Sequence, residues 1–190
     1  MKIIFGSLFA VFVGVPLFAL PATLSLGWEK RPGLEHQTIS LAVERLRETG
    51  KVGWPLVEAA RKLVEERMEY SRRNSFDSAP RAFERGYGYC QQQAYMLVDI
   101  LNRLGFEAKV VGAYKNKFPN GSVEGHAWVH VTYAGESRYV DSIFYDQQNG
   151  EITFIPLSKV FDYTIPFRVF AAWGSSAVNA YRFYITGKDI

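Results

Sequence analysis

Apolar positions recur along the chain with two different periods. From Leu34 a helical period runs through Leu41, Ala42, Arg45 and Leu46 to a stop at Gly50. Trp54-Pro55 then opens a longer helix, with proline in the first turn where its missing N–H does no harm. Val57, Ala60, Leu63, Val64 and Met68 form the apolar stripe of that helix, and Glu58, Lys62, Glu65, Glu66 and Arg67 its solvated face. Asn74–Tyr89, of mixed polarity with Pro80, Gly86 and Gly88, reads as a loop. A third helix begins at Cys90 and carries Ala94, Leu97, Val98, Leu101 and Leu104 on one face, with Gly105 just beyond its end.

After Phe106 the period shortens to two. Glu107–Tyr114 reads as a strand, Lys115–Gly125 as a loop, and His126–Tyr133 as a strictly alternating strand. His126, Trp128, His130 and Thr132 share one face of it; Ala127, Val129, Val131 and Tyr133 share the other. A turn near Ala134-Gly135 leads to a strand over Arg138–Phe144, and a turn at Asp146–Gly150 to another over Glu151–Ile155. The aromatic-rich tail from Lys159 to Ile190 suggests a further strand at Arg182–Thr186. Helices first and strands later predict an α+β domain with a mainly antiparallel sheet.

The start of the chain follows neither period. Ile3–Gly27 is 25 consecutive uncharged positions, preceded by Lys2 and followed by Glu29-Lys30-Arg31. Such a stretch has the length of a bilayer span and the layout of a signal peptide, so residues 1–27 are expected to be an anchor or export signal. Residues 28–190 are then the folded domain, exported or held at a membrane. At 190 residues, with 48% hydrophobic and 22% charged positions, the chain has the composition of one ordinary globular domain. Lys plus Arg number 22 against 19 Asp plus Glu, and no basic run breaks that balance, so no nucleic-acid footprint is indicated.

A single cysteine excludes an internal disulfide and draws attention to its position. Cys90 stands at the predicted start of the third helix, where free amide donors and the helix dipole favour a thiolate over an ordinary thiol titrating near about 8.5. A thiolate nucleophile needs a base or ion-pair partner and a group to orient that partner. His126 and Asp141, on neighbouring predicted strands, supply an imidazole and a carboxylate. The hairpin register does not decide whether Asp141 faces His126 or His130: a loop at Gly135-Glu136 sets it opposite His130, a turn on Tyr133-Ala134 opposite His126. The backbone N–H of Cys90 is a candidate oxyanion donor, with Gln91, Gln92 and the loop residues Tyr87 and Tyr89 as candidates for a second. Cys90, His126, His130 and Asp141 also make a tolerable zinc set, though the cysteine lacks close-spaced companions and no metal site is assigned. Gly86-Tyr87-Gly88 is a turn device, since no Gly-Lys-Ser/Thr follows it.

The segments Gly88-Tyr89-Cys90-Gln91-Gln92-Gln93-Ala94, Leu104-Gly105-Phe106 through Val111, Gly125-His126-Ala127-Trp128-Val129-His130-Val131 and Tyr139-Val140-Asp141 together resemble the transglutaminase-like superfamily of papain-like cysteine enzymes. The resemblance runs over Leu56–Phe144. It implies a nucleophile helix packed on a mainly antiparallel sheet, with Cys90 as nucleophile, His126 as base and Asp141 as orienter. It thereby favours His126 over His130. It further implies a thioester intermediate, a protein or peptide substrate and no cofactor. Tyr89, Trp128 and His130 are expected to line the substrate cleft, together with the Tyr114–Gly125 loop. No upstream Trp or Gln stands out for the oxyanion hole. The alternative within the same family is a catalytically silent module that binds a protein or peptide at the membrane.

Overall fold

The computed structural model describes residues 29–72, 75 and 77–186. The expected anchor at residues 1–27 lies outside them, and no helix among the described residues is long and apolar enough to cross a membrane.

Helix α1 (Ile39–Glu48) is capped by Thr38, whose Oγ1 accepts from Leu41 N at 3.3 Å. Helix α2 (Trp54–Arg67) starts after Gly53, at a positive φ of 60°, with proline in its first turn. A two-residue strand β1 (Glu69–Tyr70) pairs in parallel with β2 (Tyr87–Gly88), Tyr70 beside Gly88. Between them, where a loop is expected, lies helix α3 (Ala79–Arg85). Ser78 caps its start, Pro80 sits in its first turn and Gly86 ends it at φ 83°; seven residues are too few to display a helical period. Helix α4 (Cys90–Arg103) then runs as the pattern predicts, and Gly105 follows it at φ 92°.

Strands β3 (Glu107–Lys117), β4 (Val123–Tyr133) and β5 (Glu136–Val140) form an antiparallel meander, extended beside β3 by the short β8 (Ile155–Pro156) and β9 (Phe161–Asp162). Short β6 (Tyr145–Asp146) and β7 (Glu151–Ile152) pair with each other. The expected loop at Lys115–Gly125 is shortened to a tight hairpin end because the ladder resumes at Asn116↔Glu124 beyond a bulge. Two cores sandwich the sheet. Ala127, Val129, Val131 and Val110 pack on Leu97, Ile100 and Leu101 of α4 and on α1–α3. On the other face Trp128 and Val111 pack on Phe118 and Phe154. A buried cation ties the helical layer together: Arg67 lies 4.8 Å from the Phe83 ring and donates to the carbonyls of Phe83 (2.9 Å) and Glu35 (3.1 Å).

The tail corrects the sequence reading: Arg182–Thr186 is no strand but the end of helix α5 (Ile165–Thr186). Its buried positions include Ala172, Ser176 and Asn179, while Val169, Phe170, Tyr181 and Ile185 are exposed. Small and polar residues face inward and apolar ones outward, so the hydrophobic period that marks a helix is inverted.

Candidate active site

Cys90 is the first residue of α4, held there by the polar side chains that follow it. Gln92 Oε1 accepts from Tyr89 N (3.2 Å) and its Nε2 donates to Asp77 O (3.0 Å). Gln93 Nε2 donates to Met68 O (3.2 Å) and Gly88 O (3.0 Å), joining the helix to β1 and β2. The helix start leaves the Cys90 N–H without an intrahelical acceptor.

His126 pairs with Ala113 across β3–β4, where a bulge between Ala113 and Asn116 breaks the register. Such a bulge increases the local twist and re-aims the side chains beside it. Asn116 holds it closed, its Nδ2 donating to Ala113 O (3.0 Å) and Glu124 O (3.1 Å). The imidazole is buried among Phe118, Phe144 and Phe154, at ring separations of 5.5, 5.5 and 5.0 Å.

The β4–β5 hairpin takes neither register weighed from the sequence. Tyr133 pairs with Glu136 around a two-residue turn, with Ala134 at φ 52° and Gly135 at φ 81°. Positive φ at both positions is the mark of a type I′ turn. The ladder ends at Val129↔Val140, so Asp141 comes next in line with Trp128, diagonal to both histidines. The bonds choose between them. Asp141 Oδ2 is 2.6 Å from His126 Nε2, while Oδ1 accepts from Ile143 N (2.6 Å) and Phe144 N (2.8 Å). His130 instead faces the Tyr139 ring at 5.5 Å.

With Nε2 committed to Asp141, Nδ1 is the ring nitrogen left for Cys90, which lines the same cavity as His126. Burial works against the imidazolium, but the Asp141 carboxylate and Cys90 outweigh it and raise the histidine to about 10. The structure thus brings Cys90, His126 and Asp141 together at one site.

A cavity of about 350 Å³ opens over this site. Tyr70, Arg72, Tyr89, Cys90, Glu124 and His126 are among the residues lining it. Tyr114, Gly125 and Tyr163 extend the wall, and Ala171, Gly174, Ser175 and Val178 of α5 close one side. Trp128 and His130, expected in the cleft, do not line this cavity. Trp128 is buried in the second core, 5.1 Å from Phe154, and His130 turns to Tyr139. Gln91 and Tyr87 do not line it either: Gln91 Nε2 donates to Arg168 O (3.3 Å), and Tyr87 is taken up in β2. Tyr89 does, although its hydroxyl is fully buried and finds no acceptor or donor. Sequence reasoning missed Tyr70, Arg72 and the α5 wall. The run Gln91-Gln92-Gln93 at the head of an apolar helix was the available signal for the clamp around Cys90.

A thiol at a helix start, set against an antiparallel sheet that carries an imidazole and its carboxylate, defines a cysteine-dependent enzyme. Residues 43–149, more than half of the chain, match the family model of the transglutaminase-like superfamily, and the chain belongs to that superfamily. Among solved structures it is similar to the "putative cysteine protease" of Cytophaga hutchinsonii (19% identity, TM-score 0.45), over 70% of this chain and 55% of that one. A structure named as a "TGase" is similar at 19% identity and TM-score 0.45, over 55% of this chain and 30% of that one. The chain thus matches about half the length of the first and under a third of the second. No curated protein matches it in sequence.

Proposed function

We propose that the protein carries out cysteine-dependent acyl transfer on peptide or isopeptide amide bonds, with Cys90 as nucleophile, His126 as acid and base and Asp141 as its orienter. The observation that carries this reading is the 2.6 Å bond from His126 Nε2 to Asp141 Oδ2 beside a cavity that Cys90 and His126 line together. Cys90 Sγ attacks the carbonyl carbon, and the carbonyl electron pair moves to oxygen. As that pair returns, the C–N bond breaks, His126 delivers its proton to the departing amine, and a thioester remains. Water then attacks the thioester, giving a proton to His126, and the carboxylic acid leaves with Cys90 regenerated. Water is proposed as the acceptor, since it needs no binding surface of its own. The uncharged stretch Ile3–Gly27 supports a location at a membrane or outside the cytoplasm, which protease protection of intact cells tests.

The test is the pH dependence of Cys90 alkylation by iodoacetamide in the parent, His126→Ala and His130→Ala proteins, where a lone cysteine makes every label unambiguous. Fast alkylation well below the range of an ordinary thiol, lost in His126→Ala and kept in His130→Ala, is the expected result. A parent protein that reacts like a free thiol throughout would overturn the reading. Amine release from peptide amides, without transfer to added amines, then separates hydrolysis from cross-linking.

A further inference from the structure

The reaction leaves one role open. The carbonyl oxygen becomes an oxyanion in the step that forms the Cys90 adduct, and the N–H of Cys90 is a single donor for it. Of the other polar side chains in the cavity, Tyr89 has its hydroxyl sealed from the open space and Glu124 carries the wrong charge; Tyr114, Tyr163 and Ser175 also line it, and two further observations set Tyr70 apart from them. Tyr70 meets the requirements. It lies on β1, paired with Gly88 two residues before the nucleophile, and Ser71 N donates to Gly88 O (3.2 Å), so its backbone is tied to the approach to Cys90. Its side chain lines the cavity together with Cys90 and His126. Arg72 Nε donates to the Tyr70 hydroxyl oxygen (3.3 Å), and Arg72 is anchored in turn by Glu124 Oε2 at 3.2 Å. An oxygen that accepts from a guanidinium keeps its own O–H free to donate a hydrogen bond, and the adjacent cation polarises that O–H bond.

We infer that the Tyr70 hydroxyl is the second oxyanion donor, acting with the Cys90 N–H and polarised by Arg72. The inference rests on the thiol reading of Cys90 above and deepens it. Burial and the charge of Cys90 push the phenol up to about 12 against the pull of Arg72, so it remains a donor across the working range. Tyr70 gives no proton away in the step. Sγ–C forms, the C=O pair moves to oxygen and is held by O–H and N–H, and the pair returns as the leaving group departs.

Two electrophiles separate this role from a structural one. Acylation of Cys90 by 4-nitrophenyl acetate passes through an oxyanion and expels 4-nitrophenolate; alkylation by iodoacetamide displaces iodide at a saturated carbon and forms none. Acylation is read as release of 4-nitrophenolate and alkylation as mass added to Cys90, both in the full chain. Tyr70→Phe, which keeps the ring, is expected to slow acylation by about 10²-fold or more and to leave alkylation within about twofold. Arg72→Gln is expected to slow acylation in the parent and to add nothing on top of Tyr70→Phe. Equal rates in Tyr70→Phe and parent, or an equal loss toward both reagents, would overturn the assignment, the second by showing that Tyr70 merely positions the thiol. A parent protein that is not acylated and alkylates no faster than a free thiol overturns the thiol reading itself, and is recognised without any variant.

Discussion

Replacing Asp141 by asparagine isolates the charge that organises the site. The new amide cannot choose its orientation. Ile143 N and Phe144 N, at 2.6 and 2.8 Å from Oδ1, both donate, so the amide oxygen must stay with them and the amide nitrogen must face His126. An N–H donor at Nε2 demands a lone pair there, which puts the imidazole proton on Nδ1, toward the sulfur. The carboxylate that raises the histidine to about 10 is gone, and burial alone then disfavours the imidazolium. At pH 6 the thiol then has no imidazolium beside it, though Arg72 still lines the cavity, and an ordinary thiol is ionised there to about one part in 300. Alkylation of Asp141→Asn by iodoacetamide is therefore expected to be about 10²-fold slower than that of the parent at pH 6. The two rates should converge to within a few-fold by pH 9.5, where any accessible thiol is largely ionised. Rates are followed by mass on folded protein, checked by an unchanged urea unfolding midpoint. Equal rates at pH 6, or a constant ratio across the range, would show that Asp141 does not act through the charge of His126.

The raised histidine also sets a sign for stability. Its contribution is complete below about 6.5, the ordinary histidine value. It is lost as pH rises through about 10, so the urea midpoint difference between parent and His126→Gln should shrink from pH 6 to pH 10.5. A difference that grows with pH would refute it. Arg67→Lys is expected to cost about 2–4 kcal/mol in urea unfolding, since an ammonium cannot stack on Phe83 while reaching the Phe83 and Glu35 carbonyls; a loss under about 0.5 kcal/mol would contradict this. Gly112→Ala would place its methyl 2.8 Å from the Tyr163 ring and 3.0 Å from His126 O. It is expected to cost about 1–3 kcal/mol and to slow Cys90 alkylation, because both the cavity wall and the histidine strand must shift.

The parts of this molecule legible in the sequence are those with enough residues to show a period. Helix α4 and strand β4 each repeat their pattern several times, and they carry Cys90 and His126. The turn near Ala134-Gly135 was legible and stands where expected, but the register was not: only the positive φ of both Ala134 and Gly135 distinguishes this two-residue turn from its neighbours one position to either side. Asp141 consequently lands in line with Trp128, two residues along β4 from either sequence-derived alternative. The contact with His126 forms only because the chain leaves the sheet after Val140 and the carboxylate caps the bend at Ile143 and Phe144. Helix α5 failed for a different reason: with Ser176 and Asn179 inside and Phe170 and Tyr181 outside, a reading that equates apolar with buried returns the wrong element.

The cavity walls show the same division. β1, β2 and α3 are too short to announce themselves, yet they carry Tyr70 and set the approach to Cys90. What could have been read is the cost of three adjacent glutamines at the head of an otherwise apolar helix. All three are buried, and a buried amide costs free energy unless its polar atoms find partners; of the run, Gln91 Oε1 has none among the described residues. Gln91 spends its nitrogen on Arg168 O of α5, Gln92 on Asp77 O ahead of α3, and Gln93 on Met68 O and Gly88 O at the ends of β1 and β2. Gln93 Oε1 also accepts from Ser142 Oγ at 2.8 Å, the residue after Asp141. The run therefore tethers α4, with Cys90 at its head, to α5, to Asp77 ahead of α3, to β1 and β2, and to the residue that follows Asp141. Polar residues placed where a period calls for apolar ones mark the point at which the fold sacrifices burial to fix the position of a thiol.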